Sequence, residues 1–305
     1  MFWNRTVRVA AVLAGTIGGV TSAGYGLLIR QTRYAQRVIG ELDGPPPVAD
    51  GRYTPPGWAG AADADGLRFA VIGDSLAAGV GAETADGLPG VRLAKALAEE
   101  LGQPVDLTTY AISGSTTRDM IAQVDQALEG SPDLALVVVG GNDVTTKMSI
   151  GTSAKLLGAQ VARLRAAGAG VVVGTCPDLL PIQPIHIPLR WVASGWSRLL
   201  ARAQGRAVRK AGGLPVPLGE QVSPEFLLRP DELFSPDHFH PNDTGYAIAK
   251  EALLAPLVRA AGGDAEQEAV PAAPGAVQAV VETVAEAVAD QAMRPMSRAE
   301  PASSS

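Results

Sequence analysis

Four short polar segments carry residue types suited to nucleophilic catalysis. In the first, Gly-Asp-Ser-Leu, the glycine permits a sharp turn that would expose the Ser75 hydroxyl beside the free N–H groups of a helix start. In the second, Gly114 could bring a backbone N–H close to a substrate oxygen. In the third, the Asn142 amide could donate to an anion without carrying a charge. In the fourth, Asp237 precedes His240 by three residues, so the carboxylate could accept from one imidazole nitrogen while the other faces a serine.

Each segment also has an ordinary structural interpretation. A serine or aspartate before a helix is a favoured N-cap, glycine and asparagine are common in turns, and an isolated Asp–His pair is more often a surface ion pair. The chain has three histidines, so a histidine base must be His186, His238 or His240. Because His238 adjoins Asp237, it would point away from that carboxylate in an extended chain. His186 lies in an apolar, proline-interrupted segment and is interpreted as incidental, so His240, three residues after Asp237, is the candidate base.

The elements that must position these segments alternate along the chain. Short apolar runs predict strands, and longer amphipathic stretches between them predict helices. The predicted strands are residues 67–72, 105–110, 134–139, 170–174 and 214–218. The predicted helices are residues 88–101, 117–128, 153–167, 197–211 and 244–260.

Alternating strands and helices predict an α/β fold, a single three-layer αβα domain around a parallel sheet of five strands. Continuous hydrophobicity, as in the Leu-Val-Val-Val run of residues 136–139, indicates strands covered on both faces. Such sheets bind ligands outside the carboxyl ends of their strands. The first three polar segments each follow a predicted strand, which places them at this edge.

Together, the order and spacing of the four segments resemble the SGNH or GDSL hydrolase family, from residue 67 to about residue 257. This resemblance implies a flavodoxin-like SGNH fold and the compact single-domain branch of esterases, thioesterases and lysophospholipases. The charged start and apolar run of the chain are similar to those of exported actinobacterial esterases. One departure concerns the loop after the second strand, where many relatives carry asparagine and this chain has Tyr110.

The resemblance also implies a role for each candidate site residue. Ser75 would be the nucleophile, His240 the general base and Asp237 its orienting partner. The backbone N–H groups of Ser75 and Gly114, with the Asn142 amide, would form the oxyanion hole. We therefore expect a serine esterase that hydrolyses carboxylic esters through an acyl-enzyme and needs no metal and no organic cofactor. Two alternatives are an acyltransferase to a sugar or glycerol-type alcohol and a non-catalytic, membrane-tethered binding protein.

An apolar, proline-interrupted segment at residues 177–196 follows the fourth strand. Proline prevents it from forming an ordinary strand or helix, so we interpret it as a loop that crosses the surface. Its hydrophobic residues would form an acyl-binding wall or a membrane-facing lid, or would pack on the domain's own core. The substrate-binding candidates are Leu179, Ile182, Ile185 and Ile187. Cys176, just before the loop, is interpreted as a small buried residue.

Composition excludes several classes of function. Of 305 residues, 47% are hydrophobic and 18% charged, which is typical of a globular protein. The net charge of −6, without clustered lysine or arginine, argues against a nucleic-acid partner. The partners that the resemblance implies are small-molecule or lipid acyl esters as substrates. A single cysteine excludes an internal disulfide, and one cysteine with three histidines does not favour a zinc cage.

The two ends of the chain differ from its middle. Residues 9–29 contain no charged side chain and are flanked by arginines, so residues 1–30 predict a signal peptide or an N-terminal membrane anchor. Residues 31–66 predict a Pro/Gly-rich linker, residues 67–261 the hydrolase domain, and residues 262–305 an Ala/Glu/Pro-rich disordered tail. We therefore expect an exported protein that is secreted or anchored to the outer face of the cytoplasmic membrane.

Overall fold

Six strands form one sheet within residues 26–35, 37–38, 46–61 and 64–262, the part of the chain that a computed structural model describes. In chain order they are β1 (Gly51–Tyr53), β2 (Leu67–Gly73), β3 (Val105–Thr109), β4 (Leu134–Val138), β5 (Gly170–Gly174) and β6 (Leu214–Val216). Their spatial order is β1-β3-β2-β4-β5-β6. All neighbouring pairs from β3 to β6 are parallel, whereas β1 runs antiparallel to β3.

The predicted α/β class is confirmed, but the sheet has six strands rather than five. The additional strand is β1, which lies in the segment predicted as a linker. Three residues are too few to show a strand periodicity, so the sequence pattern missed it. A tertiary contact accompanies its pairing, since the Arg52 guanidinium donates to both carboxylate oxygens of Asp106 on β3, at 2.7 and 2.8 Å.

Helices connect the strands on both sides of the sheet. They are α1 (Ser75–Ala78), α2 (Pro89–Leu101), α3 (Met120–Glu129), α4 (Gly141–Thr145), α5 (Ile150–Ala166), α6 (Leu189–Lys210), α7 (Leu218–Leu228), α8 (Pro230–Leu233) and α9 (Asp243–Ala260). Helix α6 begins at Leu189 rather than at the predicted residue 197. The proline-interrupted run ends at Pro188, and proline is tolerated at a helix start, so the following residues are free to be helical.

Two apolar clusters hold the layers together, one on each face of the sheet. On one face, α2 and α9 pack on the strands through fully buried residues such as Leu93, Leu97 and Leu257. On the other face, α3 and α5 contribute residues such as Met120 and Leu157. This three-layer packing explains the continuously apolar sequences of β4 and β5, whose residues are all buried.

A helical segment at residues 26–35 precedes β1 and contacts the far end of the apolar loop. The Gln31 amide donates to the Ile187 carbonyl at 2.6 Å and accepts from the Leu189 N–H at 3.2 Å. The Tyr34 and His186 rings lie 4.8 Å apart. Most of the predicted leader or anchor and nearly all of the predicted tail lie outside the described residues. No helix within those residues has the length and hydropathy needed to span a membrane.

Candidate active site

Ser75 lies at the turn between β2 and α1. The turn begins at Gly73, whose φ is 146°, and a Cβ at this position would lie 1.9 Å from the Val138 carbonyl oxygen. Only glycine fits there, so the predicted need for a sharp turn is met. The next residue, Asp74, caps α1 by accepting the Leu76 N–H at 3.0 Å. Ser75 is therefore the first residue of the helix and sits at its N-terminus.

A continuous hydrogen-bond chain runs from Ser75 through His240 to Asp237. The Ser75 Oγ lies 3.0 Å from His240 Nε2, and His240 Nδ1 lies 2.6 Å from Asp237 Oδ2. The structure thus brings together three residues that are separated by as many as 165 positions in the sequence. His238 is exposed and has a φ of 52°, which is left-handed rather than the extended conformation assumed from the sequence.

The Asp237 carboxylate is held by four hydrogen bonds inside a tight turn. Besides His240 Nδ1, it accepts from the Ser235 hydroxyl at 2.7 Å and from the N–H groups of Phe239 and His240 at 2.8 and 2.9 Å. Burial alone would raise the pKa of this carboxyl. The hydrogen bonds from His240, Ser235 and the backbone outweigh burial and lower the pKa to about 2. Asp237 is therefore ionised at neutral pH.

The Asp74 carboxyl lies beside the same site and behaves in the opposite way. It is buried, and it accepts the N–H groups of Leu76 and Gly140. Burial raises its pKa from 3.8 to about 7, because these two hydrogen bonds and the nearby His240 only partly offset the loss of hydration. The sequence analysis assigned Asp74 no role beyond capping.

Asn142 lies in α4, directly after β4, and its side chain points to the same cavity as Ser75. The amide nitrogen donates one hydrogen bond to the Ser115 carbonyl at 3.0 Å. A primary amide has two N–H bonds, so a second donor is available for a substrate oxygen. Gly114, with a φ of 83°, lies in the loop that contains Ser115 and lines a separate surface depression. Of the three predicted oxyanion donors, the structure brings Ser75 and Asn142 to one cavity, whereas Gly114 does not line it.

Gln123 supports the loop that contains Gly114. From the buried face of α3, its amide donates to the Gly73 carbonyl and to the Ser115 hydroxyl, both at 3.0 Å, and accepts the Gly73 N–H at 2.8 Å. It therefore links the serine turn to the second polar segment. Gln123 was not predicted as a site residue. The sequence had shown only that Tyr110 stands in this loop where many family members carry asparagine. The available signal was a glutamine within the apolar stripe of Met120, Val124 and Ala127.

Asp143 holds the third polar segment, which contains Asn142, in place. This buried carboxylate accepts the Thr117 N–H at 2.8 Å, the Thr117 hydroxyl and the Ser153 hydroxyl at 2.6 Å. These bonds join α4, which carries Asn142, to the loop after Gly114 and to α5. Asp143 was not predicted as a site residue, although it directly follows Asn142 in the sequence. Its role is to position its neighbour.

An apolar cavity of about 120 Å³ opens beside Ser75. Two of the predicted substrate-binding residues, Leu179 and Ile182, line it. The other two do not line it: Ile185 is buried in the same apolar cluster as Leu179 and Ile182, and Ile187 is 51% exposed. The sequence pattern did not indicate the lining from α7, α9 and the turns around them, which includes four aromatic residues: Phe226, Phe234, Phe239 and Tyr246.

Cys176 is not part of the hydrogen-bond chain that joins Ser75, His240 and Asp237. Cys176 is buried, and burial raises the pKa of its thiol well above the ordinary value. Within the described ranges, no group of three histidine, cysteine, aspartate or glutamate side chains is placed to hold a metal ion.

Comparisons with known proteins identify the family and the fold. The model of the GDSL-like lipase/acylhydrolase family matches residues 71–248. The chain is 41% identical over 263 residues, covering 83% of each chain, to the GDSL-like esterase Rv1075c of Mycobacterium tuberculosis. The crystal structure of TesA matches 63% of this chain and 99% of its own, with 22% identity and a TM-score of 0.52.

A second solved structure is a variant of Axe2, an acetyl-xylooligosaccharide esterase from Geobacillus. It matches 65% of this chain and 94% of its own, with 20% identity and a TM-score of 0.51. At such identities the two structures show a shared fold, which is the predicted SGNH hydrolase fold. The family match and the Mycobacterium relative carry the assignment further. The chain belongs to the GDSL-like lipase/acylhydrolase family, and it is a carboxylic ester hydrolase.

Proposed function

We propose that the protein is a serine esterase in which Ser75, His240 and Asp237 form a catalytic triad and the reaction passes through an acyl-enzyme. The observation that carries this proposal is the unbroken hydrogen-bond chain, 3.0 Å from Ser75 to His240 and 2.6 Å from His240 to Asp237. An ionised Asp237 accepts the Nδ1–H of His240, which leaves the Nε2 lone pair facing the serine hydroxyl. This is the tautomer that a general base needs.

In the first half of the reaction, Ser75 Oγ attacks the ester carbonyl while His240 Nε2 takes the hydroxyl proton. The tetrahedral intermediate collapses when His240 gives that proton to the leaving alkoxide, and an acyl-serine and a free alcohol result. In the second half, His240 removes a proton from water, which attacks the acyl-serine. The acid leaves and Ser75 recovers its proton.

The negative oxygen of each tetrahedral intermediate needs hydrogen-bond donors. We assign this role to the free amide N–H of Asn142 and to the backbone N–H of Ser75, with the Gly114 N–H completing the set. The position of Asn142 supports the assignment, because its bond to the Ser115 carbonyl fixes the amide plane before substrate binds. Preorganised donors of this kind contribute about 10²–10³ to kcat each.

For the substrate, the cavity favours an acyl group without charge. Its walls are aliphatic and aromatic, and Leu179, Ile182 and Phe226 face the same space. Because an apolar cavity of about 150 Å³ holds one benzene ring, a cavity of about 120 Å³ fits an acyl chain of about five carbons. We therefore expect hydrolysis to be fastest with short to medium acyl esters.

Two measurements test the mechanism and the acyl preference. A serine-directed fluorophosphonate should add one phosphonyl group to Ser75, found by peptide mass spectrometry, and Ser75→Ala should block the labelling. Ser75→Ala and His240→Ala should each lower kcat by orders of magnitude. If either variant hydrolyses esters at the wild-type rate, the triad is wrong. Product analysis with glycerol or a sugar added separates hydrolysis from acyl transfer.

A chain-length series of p-nitrophenyl esters tests the cavity. Phe226→Ala would enlarge the lining and should move the optimum toward longer chains. Leu228→Ala is the matched control, since Leu228 lies on the same helix, is 65% exposed and does not line the cavity. An optimum that Phe226→Ala leaves in place would contradict this acyl site.

For location, we propose an exported protein held at the outer face of the cytoplasmic membrane by its N-terminal stretch. The support is the uncharged sequence of residues 9–29 between flanking arginines. Membrane fractionation with alkaline carbonate, followed by N-terminal sequencing of the mature protein, distinguishes an anchor from a cleaved leader. Recovery of the full-length protein in the soluble cytoplasmic fraction would overturn both.

A further inference from the structure

The charged residues of α6 are all basic. The chain carries a net charge of −6, yet α6 contains no aspartate or glutamate between Leu189 and Lys210. Its basic residues are Arg190, Arg198, Arg202, Arg206, Arg209 and Lys210. The adjoining helical segment, residues 26–35, also lacks acidic residues and carries Arg30 and Arg33. The two elements make a basic surface on an acidic protein.

Apolar side chains are exposed on the same surface of α6. Trp191 and Leu199 are each 55% exposed and Val192 is 50% exposed. Val192 and Leu199 are seven residues apart and therefore share a helix face, and Arg202 and Arg206 continue that face by steps of three and four. Leu27 and Tyr34 of the neighbouring segment are also exposed, at 45% and 40%. We call these exposed residues of α6 and of residues 26–35 the basic apolar face.

Few of these cations are neutralised by the protein itself. Arg198 pairs with Asp178 at 2.7 Å. In the described part of the chain, Arg30, Arg33, Arg202 and Arg206 form no ion pair. An exposed tryptophan with aliphatic neighbours and unneutralised arginines is the composition of a helix that lies in a membrane interface.

We propose that the basic apolar face rests on the surface of an anionic lipid bilayer, with Trp191, Val192 and Leu199 at the headgroup boundary and the arginines against lipid phosphates. Charge complementarity favours anionic lipid over an acidic protein because the face also exposes aliphatic and indole side chains, which enter the interface to a depth of about 5–10 Å. The sequence supports the same occupant, since the uncharged residues 9–29 run directly into the segment that bears Leu27 and Arg30.

This contact would bring lipid close to the active site. In the loop that begins at Pro177, Leu179 and Ile182 line the cavity. At the end of the same loop, the Ile187 carbonyl accepts a hydrogen bond from Gln31 in the helical segment of residues 26–35. One loop therefore joins the cavity to the surface that we assign to lipid. The proposal goes beyond the N-terminal anchor, because it assigns a second contact made by the folded domain.

Depth-dependent fluorescence quenching on the full chain tests the proposal. A fluorophore is attached at Leu199→Cys, or in a matched control at Glu99→Cys on α2, with buried Cys176 changed to alanine in both. Glu99 is exposed on the opposite side of the sheet. Vesicles of phosphatidylcholine with phosphatidylglycerol carry a spin label high on the acyl chain. The label at position 199 should be quenched several times more strongly than the label at 99.

A charge reversal separates this contact from the anchor. Arg202→Glu should weaken quenching at position 199 severalfold on anionic vesicles, whereas Arg259→Glu, at an exposed position near the end of α9, should not. Protein that floats with vesicles but shows equal quenching at positions 199 and 99 overturns the proposal while leaving the anchor intact. The basic apolar face would then belong to an acidic protein or a second copy of the chain.

Discussion

Two turns each bring a buried carboxyl group to the active site, and the pKa values of the two groups are shifted in opposite directions. In the turn that holds Asp237, four hydrogen bonds reach one carboxylate and lower its pKa to about 2. In the turn before Ser75, Asp74 receives two and its pKa rises to about 7. Burial opposes ionisation in both cases. Asp74 is the more completely desolvated carboxyl and receives fewer hydrogen bonds, so burial prevails at Asp74 and the donors prevail at Asp237.

The two turns also make opposite contributions to stability. Because the pKa of Asp237 is lowered on folding, its contribution is present above the ordinary value of 3.8 and is lost as the pH falls toward about 2. Because the pKa of Asp74 is raised, folding is favoured while Asp74 is protonated. That contribution is complete below 3.8 and is lost as the pH rises through about 7.

The largest effect should follow from removing the charge of Asp237. Asp237→Asn keeps the shape of the side chain, but its amide cannot hold the Nδ1–H tautomer of His240, so kcat should fall by about 10³–10⁴. Steady-state kinetics measures this loss. Asp231→Asn, an exposed aspartate on α8, is the control and should retain the wild-type rate. If Asp237→Asn also retained that rate, the ionised carboxylate of Asp237 would not be needed to orient His240.

The turn before Ser75 is held by hydrogen bonds between the uncharged Gln123 amide and the Gly73 backbone. Gln123→Glu replaces two donated bonds by an acceptor that faces the Gly73 carbonyl. We expect kcat/KM to fall about 10- to 100-fold and the free energy of unfolding to fall by about 1–3 kcal/mol. Kinetics and urea unfolding measure the two effects. Gln126→Glu, exposed on the same helix, should change neither.

Removing one hydrogen-bond donor from Asp237 should shift the pKa of its carboxyl upward, toward that of Asp74. Ser235→Ala deletes the 2.7 Å hydrogen bond to Asp237 Oδ1. We expect the pKa of Asp237 to rise and the acid-induced unfolding transition to move to higher pH, with kcat at neutral pH reduced only severalfold. Unfolding followed by circular dichroism across acidic pH values gives the shift. An unmoved transition would show that the remaining three donors suffice.

The smallest effect on the rate, and the clearest on pH dependence, should come from Asp74→Asn. The neutral amide resembles the protonated carboxyl, so kcat should change by less than about tenfold, since Asp74 touches no reacting atom. The decline in stability between about pH 4 and pH 7 that Asp74 causes should disappear. Thermal unfolding across this range tests the sign. If the stability of the wild type and of Asp74→Asn changed equally between these pH values, the pKa of Asp74 would not be raised.

Much of this architecture follows from local sequence. The runs that form β4 and β5 are continuously apolar, and three of the four predicted site segments follow a strand, so the edge of the sheet that holds the site was predictable. The geometry of Asp237 and His240 also follows from a spacing of three. These features depend on residues that are near one another in the chain.

The missed features depend on contacts between distant residues. Gln123 supports residues of β2 and of the following loop, and nothing in its own helix distinguishes it from a solvent-facing glutamine except the apolar stripe. Likewise, the aromatic lining from Phe226 and Phe239 belongs to elements far from Ser75. The loop prediction placed Ile187 at the cavity because proline spacing indicates irregular chain but not which side faces inward. Such facts require the packed structure.

Strand β1 has a practical consequence for handling the protein. It covers the outer edge of β3, whose N–H and C=O groups would otherwise be unpaired along residues 105–107. Open strand edges template pairing with other chains and lead to aggregation. A shortened chain that starts at Gly66, where the sequence suggests that the domain begins, would expose this edge, and should precipitate at concentrations at which a chain starting before Ala49 stays dispersed.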